Sequence, residues 1–219
     1  TEVGVINHHG AYAQLVVVPG NAIHVIPDNL DMKTASLAEP LAVVLRALRR
    51  IRNRLTAHNK VAVIGAGPIG NLCVQVLSSE GYNVSVFDKN EDRLKLLENK
   101  VQKTSAELVD LGEFDTIVEA TGSKQILEQI SRESNTDSTI LLLGFPYGDL
   151  NYNFEDLVGK EKVIIGSVGA DSEDFSQALK ILPTLDTASF IENIFPLKDY
   201  EKAWDAQKSS KYLKIILKP

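Results

Sequence analysis

Short apolar runs alternate with amphipathic segments along the chain from residue 61 onward. Five of these runs read VAVIG (61–65), VSVFD (84–88), DTIVEATG (115–122), STILLLG (138–144) and KVIIGSV (162–168). Near-continuous apolar runs of this length are typical of parallel strands that helices cover on both faces. A weaker strand is predicted near residues 106–109. The pattern therefore predicts an α/β fold built on a doubly wound parallel sheet, the Rossmann fold.

Helical periodicity flanks this region. Pro40 is suited to the first turn of a helix, and apolar side chains then recur at three- and four-residue steps, namely Leu41, Val44, Leu45, Leu48 and Ile51. Further helices are predicted over residues 175–182, ended by Pro183, and over residues 200–207. Residues 11–18 and 212–219 are predicted as strands near the two ends of the chain.

Five arginines follow the polar side of the helix that starts near Pro40, namely Arg46, Arg49, Arg50, Arg52 and Arg54. Such a run can bind phosphate. A solvated helix face whose cations stabilise the carboxyl end of the helix explains it better.

The run VAVIG leads into a glycine pattern, GxGxxG, formed by Gly65, Gly67 and Gly70. The next run ends at Asp88, 18 positions after Gly70. This order of strand, glycines, helix, strand and carboxylate is that of a dinucleotide-binding βαβ unit, whose glycines permit a tight turn and close approach to a pyrophosphate. Asp88 would accept hydrogen bonds from ribose hydroxyls and repel a 2′-phosphate, which favours NAD over NADP, whereas Lys89 would partly tolerate the phosphate. The alternative is a glycine-rich turn in another kind of α/β protein.

Composition excludes several classes of function. The 219 residues carry a net charge of −6, which gives no electrostatic footprint for nucleic acid, and no apolar stretch is long enough to span a bilayer. The single cysteine, Cys73, excludes an intrachain disulfide and is expected to be a buried structural thiol. We therefore expect a protein of the cytoplasm that binds neither nucleic acid nor membrane.

Several motifs in order resemble the medium-chain dehydrogenase/reductase family, within its zinc-dependent alcohol, polyol and sugar dehydrogenase branch. They are GAYAQLVVVP (10–19), the stretch 23–48 that contains LAEPLA, VAVIGAGPIG (61–70), FDKNEDRL (87–94), VEATGS (118–123), LLLGFP (141–146) and KYLKIILKP (211–219). The sequence LAEPLA is similar to the sorbitol, threonine and glucose dehydrogenase subgroups. The resemblance implies a remnant of a GroES-like β catalytic domain (1–30), an NAD-binding Rossmann domain (31–190) and a carboxyl-terminal segment (191–219) that returns toward the catalytic domain.

The resemblance also implies which residues hold NAD. They are Gly65, Gly67, Pro68, Ile69, Gly70, Asp88, Lys89, Arg93, Thr121, Gly122, Leu143, Gly144, Phe145, Ser167 and Val168. Thr121 and Gly122 correspond to the contact with the adenosine side, and the backbone of residues 143–145 and 167–168 would bind the nicotinamide carboxamide. Ordinary turn chemistry at strand ends is the alternative for these residues.

For the metal, the resemblance places a zinc-ligand position at Glu39. The alternative is an acid at the amino end of a helix, stabilised by the helix dipole. One carboxylate alone cannot hold zinc, so we expect zinc only in a full-length parent. Either His8 or His9 can contact substrate or cofactor, while His24 and His58 are predicted to be merely exposed.

The predicted function is NAD-dependent hydride transfer between NAD and a secondary alcohol of a polyol, sugar or amino alcohol. The amino-terminal half that would supply a Cys ligand, a His-Glu pair and a proton relay is missing from this sequence. We therefore expect either a fragment of a complete enzyme, inactive alone, or a natural NAD-binding or assembly module without zinc chemistry. Catalytic residues cannot be assigned. An apolar sheet edge at residues 162–168 predicts a homodimer joined strand to strand.

Overall fold

The computed structural model describes residues 2–3, 7–149 and 152–219, with the backbone alone described for residues 2, 3, 7 and 8. The chain forms two compact units. The sheet unit contains residues 39–174, and the flanking unit contains the residues up to 38 together with residues 175–219. Among the described residues, no helix is both long and apolar enough to cross a membrane.

The strands are β1 (Glu2–Val3), β2 (Asn7–His8), β3 (Lys60–Ile64), β4 (Asn83–Phe87), β5 (Lys103–Ser105), β6 (Thr116–Glu119), β7 (Thr139–Leu142), β8 (Val163–Gly166), β9 (Ile194–Pro196) and β10 (Ile216–Lys218). The α-helices are α1 (Met32–Ala35), α2 (Ala38–Ile51), α3 (Pro68–Ser79), α4 (Glu91–Lys95), α5 (Lys124–Glu133), α6 (Phe154–Gly159), α7 (Ser172–Ile181), α8 (Ala188–Ile191) and α9 (Tyr200–Lys208). Short 3-10 turns lie at Gly20–Ala22, Arg52–Arg54, Leu111–Glu113, Leu182–Thr184 and Leu197–Asp199.

The sheet unit is built on six parallel strands in the order β5-β4-β3-β6-β7-β8. This confirms the predicted doubly wound sheet. The weak strand predicted near residues 106–109 was misplaced, because it forms at Lys103–Ser105. Its end has a local cause: the Ser105 hydroxyl donates to the carbonyl of Glu107 (2.7 Å) and accepts from the Glu107 N–H (3.1 Å), so the chain turns away there.

The core of the sheet unit is formed by the strands that the apolar runs predicted. On one face Phe87 and Phe114 pack edge to face, 5.8 Å between ring centres, among buried Ile64, Ile117 and Ile140. Complete burial stabilises each such side chain by roughly 1.5–3 kcal/mol. The helix predicted from Pro40 begins two residues earlier, at Ala38, and four of its five predicted apolar positions are buried: Leu41, Val44, Leu48 and Ile51.

Three of the five arginines near the end of α2 pair with acids. Arg49 Nη2 lies 2.6 Å from Asp171 and 3.0 Å from Asp174, and Arg46 lies 3.6 Å from Asp171. Arg52 pairs with Glu80 through both terminal nitrogens. A backbone hydrogen bond from Asp174, and then the guanidinium of Arg49, lower the pKa of Asp171 to about 2. For these three arginines, the ion pairs favour the structural interpretation over a phosphate site.

The flanking unit departs most from prediction. Residues 11–18 do not form the predicted strand, and Leu15 and Val17 are 91% and 97% exposed. No neighbouring strand among the described residues offers them backbone partners, and an unpaired strand is not stable. The terminal strand is shorter than predicted, since β10 covers only Ile216–Lys218, where it pairs in parallel with β9. β9 itself was not predicted.

His24 in the flanking unit was predicted to be merely exposed, and this was wrong. Its ring is half-buried and stacks on Phe175 with 5.3 Å between centres. Ser176 Oγ lies 3.4 Å from His24 Nδ1. His58 and His9 are exposed, and the side chain of His8 is outside the described part of the chain.

Candidate cofactor site

The glycine turn after β3 is closed by two glycines that no other residue can replace without rearrangement. Gly65 has a φ of +101°, and a Cβ there would lie 2.9 Å from the methyl carbon of Thr121. A Cβ on Gly70 would overlap the carbonyl oxygen of Gly65. The positive φ of Gly65 is a backbone conformation that only glycine adopts easily. The lack of space for a Cβ at Gly70 means that α3 packs directly against the glycine turn. Both match the geometry expected of a dinucleotide-binding turn.

The amino end of α3 is open toward solvent. Gly67 is its N-cap and makes no side-chain capping bond, and Pro68 is its first residue, followed by Ile69. The nearest atom to a Cβ built on Gly67 is Arg93 Nη1, 3.8 Å away. Uncapped N–H groups at the positive end of a twelve-residue helix favour an anion such as a pyrophosphate.

A cleft of about 540 Å³ lies at this end of the sheet. It is lined by Ile64, Gly65, Gly67, Pro68, Phe87, Asp88, Lys89, Arg93, Ala106, Leu108, Ala120, Thr121, Ser123, Gln125 and Ile126. Seven residues predicted to hold the cofactor are among these, so the structure brings the glycine turn, the acid after β4 and Thr121 into one cleft.

Asp88 is hydrogen-bonded both to the glycine turn and to the segment that leads into α4. Its Oδ2 accepts from the Ala66 N–H of the glycine turn (2.7 Å), and its Oδ1 accepts from the Asn90 N–H (2.8 Å). Each carboxylate oxygen has a second acceptor site, so both remain able to bind ribose hydroxyls. The carboxylate therefore also holds the turn that it would share with the cofactor.

Two cations accompany Asp88. Arg93 Nη1 lies 3.9 Å from Asp88 Oδ2, and Arg93 Nε is buried with no hydrogen-bond partner in the described part of the chain. Lys89 lines the same cleft and is exposed. The cleft thus combines one acid with two cations beside an uncapped helix end, an arrangement suited to an anionic ligand that also carries hydroxyl groups.

A second cleft, of about 400 Å³, lies at the ends of β7 and β8. It is lined by Gly144, Phe145, Ser167 and Val168, and the Ser167 hydroxyl is buried with no hydrogen-bond partner among the described residues. A Cβ on Gly122 would lie 3.0 Å from the backbone nitrogen of Phe145, so the turn after β6 and the turn after β7 are in direct contact. Eleven of the fifteen residues predicted for the cofactor therefore line these two clefts, and Ile69, Gly70, Gly122 and Leu143 line neither.

Glu119, the last residue of β6, was missed by the sequence analysis. It is fully buried, and its Oε1 accepts from the N–H of Thr121 (2.7 Å), the hydroxyl of Thr121 and the N–H of Gly122 (3.0 Å). Its backbone carbonyl accepts from Leu143 (2.8 Å) and Gly144 (3.0 Å). Burial raises the pKa of the Glu119 carboxyl, and its hydrogen bonds oppose that rise. An acid directly after the apolar pair Ile117 and Val118 of a predicted buried strand was the available signal.

Glu39 lies in the first turn of α2 and is exposed. The described residues include no group of three or more His, Cys, Asp and Glu side chains placed to hold a metal ion. Cys73 is buried in α3, where burial raises the pKa of its thiol to about 12. That thiol is unsuited to metal binding or nucleophilic attack, because both need the thiolate.

The sheet order, the glycine turn at the carboxyl ends of its strands and the open helix end define a dinucleotide-binding Rossmann domain. The family described as glucose dehydrogenase C-terminus matches residues 32–218. The chain belongs to this family, which confirms the resemblance inferred from its motifs.

The relatives are longer dehydrogenases. A sorbitol dehydrogenase of Halalkalibacterium halodurans is 26% identical over 96% of this chain and 66% of its own length. An L-threonine 3-dehydrogenase of Escherichia fergusonii is 28% identical over 97% of this chain and 66% of its own length. The chain thus spans slightly less than two thirds of these relatives.

Solved structures agree on the fold. A protein described as a zinc-binding dehydrogenase, from Clostridium scindens, aligns with a TM-score of 0.74 at 27% identity, over 89% of this chain and 59% of its own. A short chain alcohol dehydrogenase of E. coli, solved with NADH, aligns with a TM-score of 0.81 at 22% identity, over 92% of this chain and 64% of its own.

Proposed function

We propose that this chain is the cofactor-binding part of an NAD-dependent dehydrogenase that oxidises a secondary hydroxyl of a polyol, sugar or amino alcohol. The observation that carries the proposal is the convergence of the glycine turn, the open end of α3 and Asp88 on one cleft. The names of the relatives, sorbitol dehydrogenase and L-threonine 3-dehydrogenase, support the substrate class.

The two clefts of the candidate site bind different parts of NAD in this proposal. The N–H groups of Ile69 and Gly70 at the start of α3 would bind the pyrophosphate, and Asp88 would accept hydrogen bonds from the adenosine ribose. The backbone at Leu143 to Phe145 and at Ser167 and Val168 would orient the nicotinamide. When bound, NAD would supply a hydride acceptor for the carbinol carbon, and the hydroxyl proton would leave to solvent or a base.

Asp88 supports a preference for NAD(H) over NADP(H), because a 2′-phosphate would approach a carboxylate that is nine-tenths buried. Lys89 and Arg93 reduce this preference without reversing it. Structural neighbours of the same fold have been solved with NADH, with NADP and with NADPH, so the fold itself does not decide between the cofactors.

Zinc belongs to a complete enzyme in this proposal. Glu39 would be one ligand, direct or through water, and the remaining ligands would come from residues beyond those described here. Bound zinc would polarise the substrate hydroxyl. The chain on its own is therefore expected to bind the cofactor and to show no zinc-dependent turnover.

We propose a domain division into residues 1–30, 31–190 and 191–219, and the exposure of apolar side chains before residue 31 supports its first part, whereas the two compact units divide the chain after residues 38 and 174. Leu15, Val17 and Val25 are 91%, 97% and 87% exposed. We propose that residues 1–30 complete a β domain whose other strands cover these side chains. A location in the cytoplasm is part of the same proposal.

A homodimer joined through residues 162–168 completes the proposal. β8 is the last strand of the six-stranded sheet, so one of its edges is free to pair, and its Ile164 is 36% exposed. Light scattering should give twice the mass of the chain, and Ile164→Pro should reduce it to one chain if the lost N–H faces the partner. A monomeric mass for the unmodified chain at high concentration would refute the dimer.

The experiment that tests the function is titration of the chain with NADH and with NADPH, followed by nicotinamide fluorescence. We expect saturable binding of one NADH per chain with a lower Kd than for NADPH. Binding of neither nucleotide would contradict the proposed function, and tighter binding of NADPH would contradict the role of Asp88. Metal analysis with a polyol screen on the same sample should show neither bound zinc nor turnover.

A further inference from the structure

Glu119 is a buried acid whose position needs an explanation. It is fully buried, and no cation of the described residues contributes to its environment. Burying a carboxylate away from water is unfavourable unless hydrogen bonds replace the lost solvation. An apolar side chain of similar size would avoid that penalty, so the contacts of the carboxylate explain why an acid stands here.

Those contacts are all hydrogen-bond donors from one turn. Three donors of Thr121 and Gly122 converge on Oε1, and the Gly122 N–H also lies 3.2 Å from Oε2. An ionised carboxylate only accepts hydrogen bonds, and it is therefore the side chain best suited to a turn that presents only donors.

The hydrogen bond to the Thr121 hydroxyl fixes the rotamer of that side chain. The hydroxyl donates to Glu119 and accepts from the Ser123 N–H (3.0 Å). The methyl group is consequently held against Gly65, where a Cβ would approach it to 2.9 Å. Glu119 thus determines which face of Thr121 meets the glycine turn.

Glu119 also holds the neighbouring turn. A Cβ on Gly144 would overlap Glu119 Oε2, and the carbonyl of Glu119 accepts from the N–H groups of Leu143 and Gly144. The turn after β6 and the turn after β7 therefore both rest on this one residue, and these two turns border the two clefts of the candidate site.

We propose that Glu119 is a positioning residue of the dinucleotide site, whose buried carboxylate fixes the turn at residues 121–123 between Gly65 and Gly144. That the ligand of this site is a dinucleotide rests on the proposed function. The acceptor geometry, more than the charge, performs this role, because the contacts on Oε1 can be made equally by an amide oxygen.

The test compares four proteins: the unmodified chain, Glu119→Gln, Glu119→Ala and the control Glu113→Gln. Glu113 is an exposed acid near Lys60, the first residue of β3, so the control removes the same charge near the amino ends of the strands, away from the candidate site. Each protein is titrated with NADH, and the amide hydrogen exchange of residues 121, 122, 143 and 144 is measured without nucleotide.

We expect Glu119→Ala to raise the Kd for NADH at least about tenfold and to speed exchange at these amides. Glu119→Gln should stay within about threefold of the unmodified chain in Kd, and Glu113→Gln should match it. Faster exchange in Glu119→Ala together with rescue by Gln would support the positioning role. A side chain that only fills space would leave exchange at the four amides unchanged when it is replaced by alanine.

Equal NADH affinity and equal exchange for Glu119→Ala and the unmodified chain would overturn the proposal. If Glu119→Ala does not fold, Thr121→Val decides, because it removes the hydroxyl that joins Glu119 to Ser123 and keeps the methyl group. We expect about fivefold weaker NADH binding for it, and unchanged binding would overturn the proposal. If the unmodified chain and Glu113→Gln bind no NADH, the proposed function fails, and amide exchange alone then decides the positioning role.

Discussion

The sheet unit and the flanking unit both contain apolar segments that predict strands, but only those of the sheet unit form strands as predicted. In the sheet unit, runs such as VAVIG and STILLLG became buried strands with partners on both sides. In the flanking unit, the run AYAQLVVV formed no strand and left Leu15 and Val17 exposed. An apolar alternating run therefore predicts a strand only where other strands of the same unit can pair with it.

Glycine-to-alanine substitutions are expected to show the largest difference between the two units in NADH binding and melting temperature. Gly70→Ala would place a methyl group onto the carbonyl of Gly65, and this overlap outweighs the gain of about 1 kcal/mol that alanine brings to a helix. We expect loss of NADH binding and a melting temperature lower by several degrees.

Gly20→Ala is the matched control in the flanking unit, since no atom lies within 4 Å of a Cβ built there. It should leave both the melting temperature and NADH binding unchanged. Retention of NADH binding by Gly70→Ala would show that the turn is more adaptable than its geometry indicates.

Truncating one apolar side chain in each unit tests the same comparison through the free energy of unfolding. Leu72→Ala in α3 removes a fully buried side chain and should lower the free energy of unfolding by about 2–5 kcal/mol. Leu15→Ala removes a side chain that is 91% exposed and should change it by less than about 0.5 kcal/mol. Urea unfolding of both variants measures the difference. A large loss for Leu15→Ala would mean that residues 11–18 are buried in solution.

The acid after β4 is expected to have a smaller effect, on specificity. Asp88→Ser should reduce the preference for NADH over NADPH by about tenfold, which corresponds to about 1.4 kcal/mol, because it removes the charge that opposes a 2′-phosphate. Asp28→Ser removes an exposed acid from the flanking unit and should leave the ratio unchanged. The ratio of the two Kd values, from fluorescence titration, is the measurement.

The smallest effect concerns acid stability. The pKa of Asp171 is lowered to about 2 in the folded chain, so its contribution is complete above the ordinary carboxyl pKa and is lost as the pH falls from about 4 toward 2. Arg49→Gln should lower the melting temperature at pH 5 and make its fall toward pH 2 shallower.

The comparison in the flanking unit is Lys202→Gln. Lys202 lowers the pKa of Asp199 through an exposed contact of 2.9 Å, and screening by solvent should make its removal nearly silent. An equal response of the two variants to acid would show that the ion pairs of the sheet unit are no stronger than an isolated surface pair.

The sequence analysis predicted the centre of the sheet well because β3, β4, β6 and β7 are buried on both faces, and such strands appear as continuous apolar runs. It missed β9 because IFP has only three residues, too few to show a strand pattern. It misplaced β5 because a side-chain hydrogen bond of Ser105, which hydropathy does not reveal, ends that strand.

The candidate site was predicted unevenly for the same reason. Gly65, Gly70 and Asp88 belong to a pattern with fixed spacing, and the structure brings the turn and the acid together. Glu119 lies in the motif VEATGS, but no fixed spacing assigned it a role. Its importance depends on a local turn with residues 121 and 122 and on contact with residue 144, which becomes a neighbour only when β6 and β7 pair.

A crystal structure of the chain grown with NADH would test the central claim most directly. The account predicts the pyrophosphate at the amino end of α3, within hydrogen-bond distance of the Ile69 and Gly70 N–H groups, and ribose hydroxyls bonded to Asp88. NADH bound elsewhere, or a well-diffracting crystal in which this cleft stays empty at saturating NADH, would contradict it.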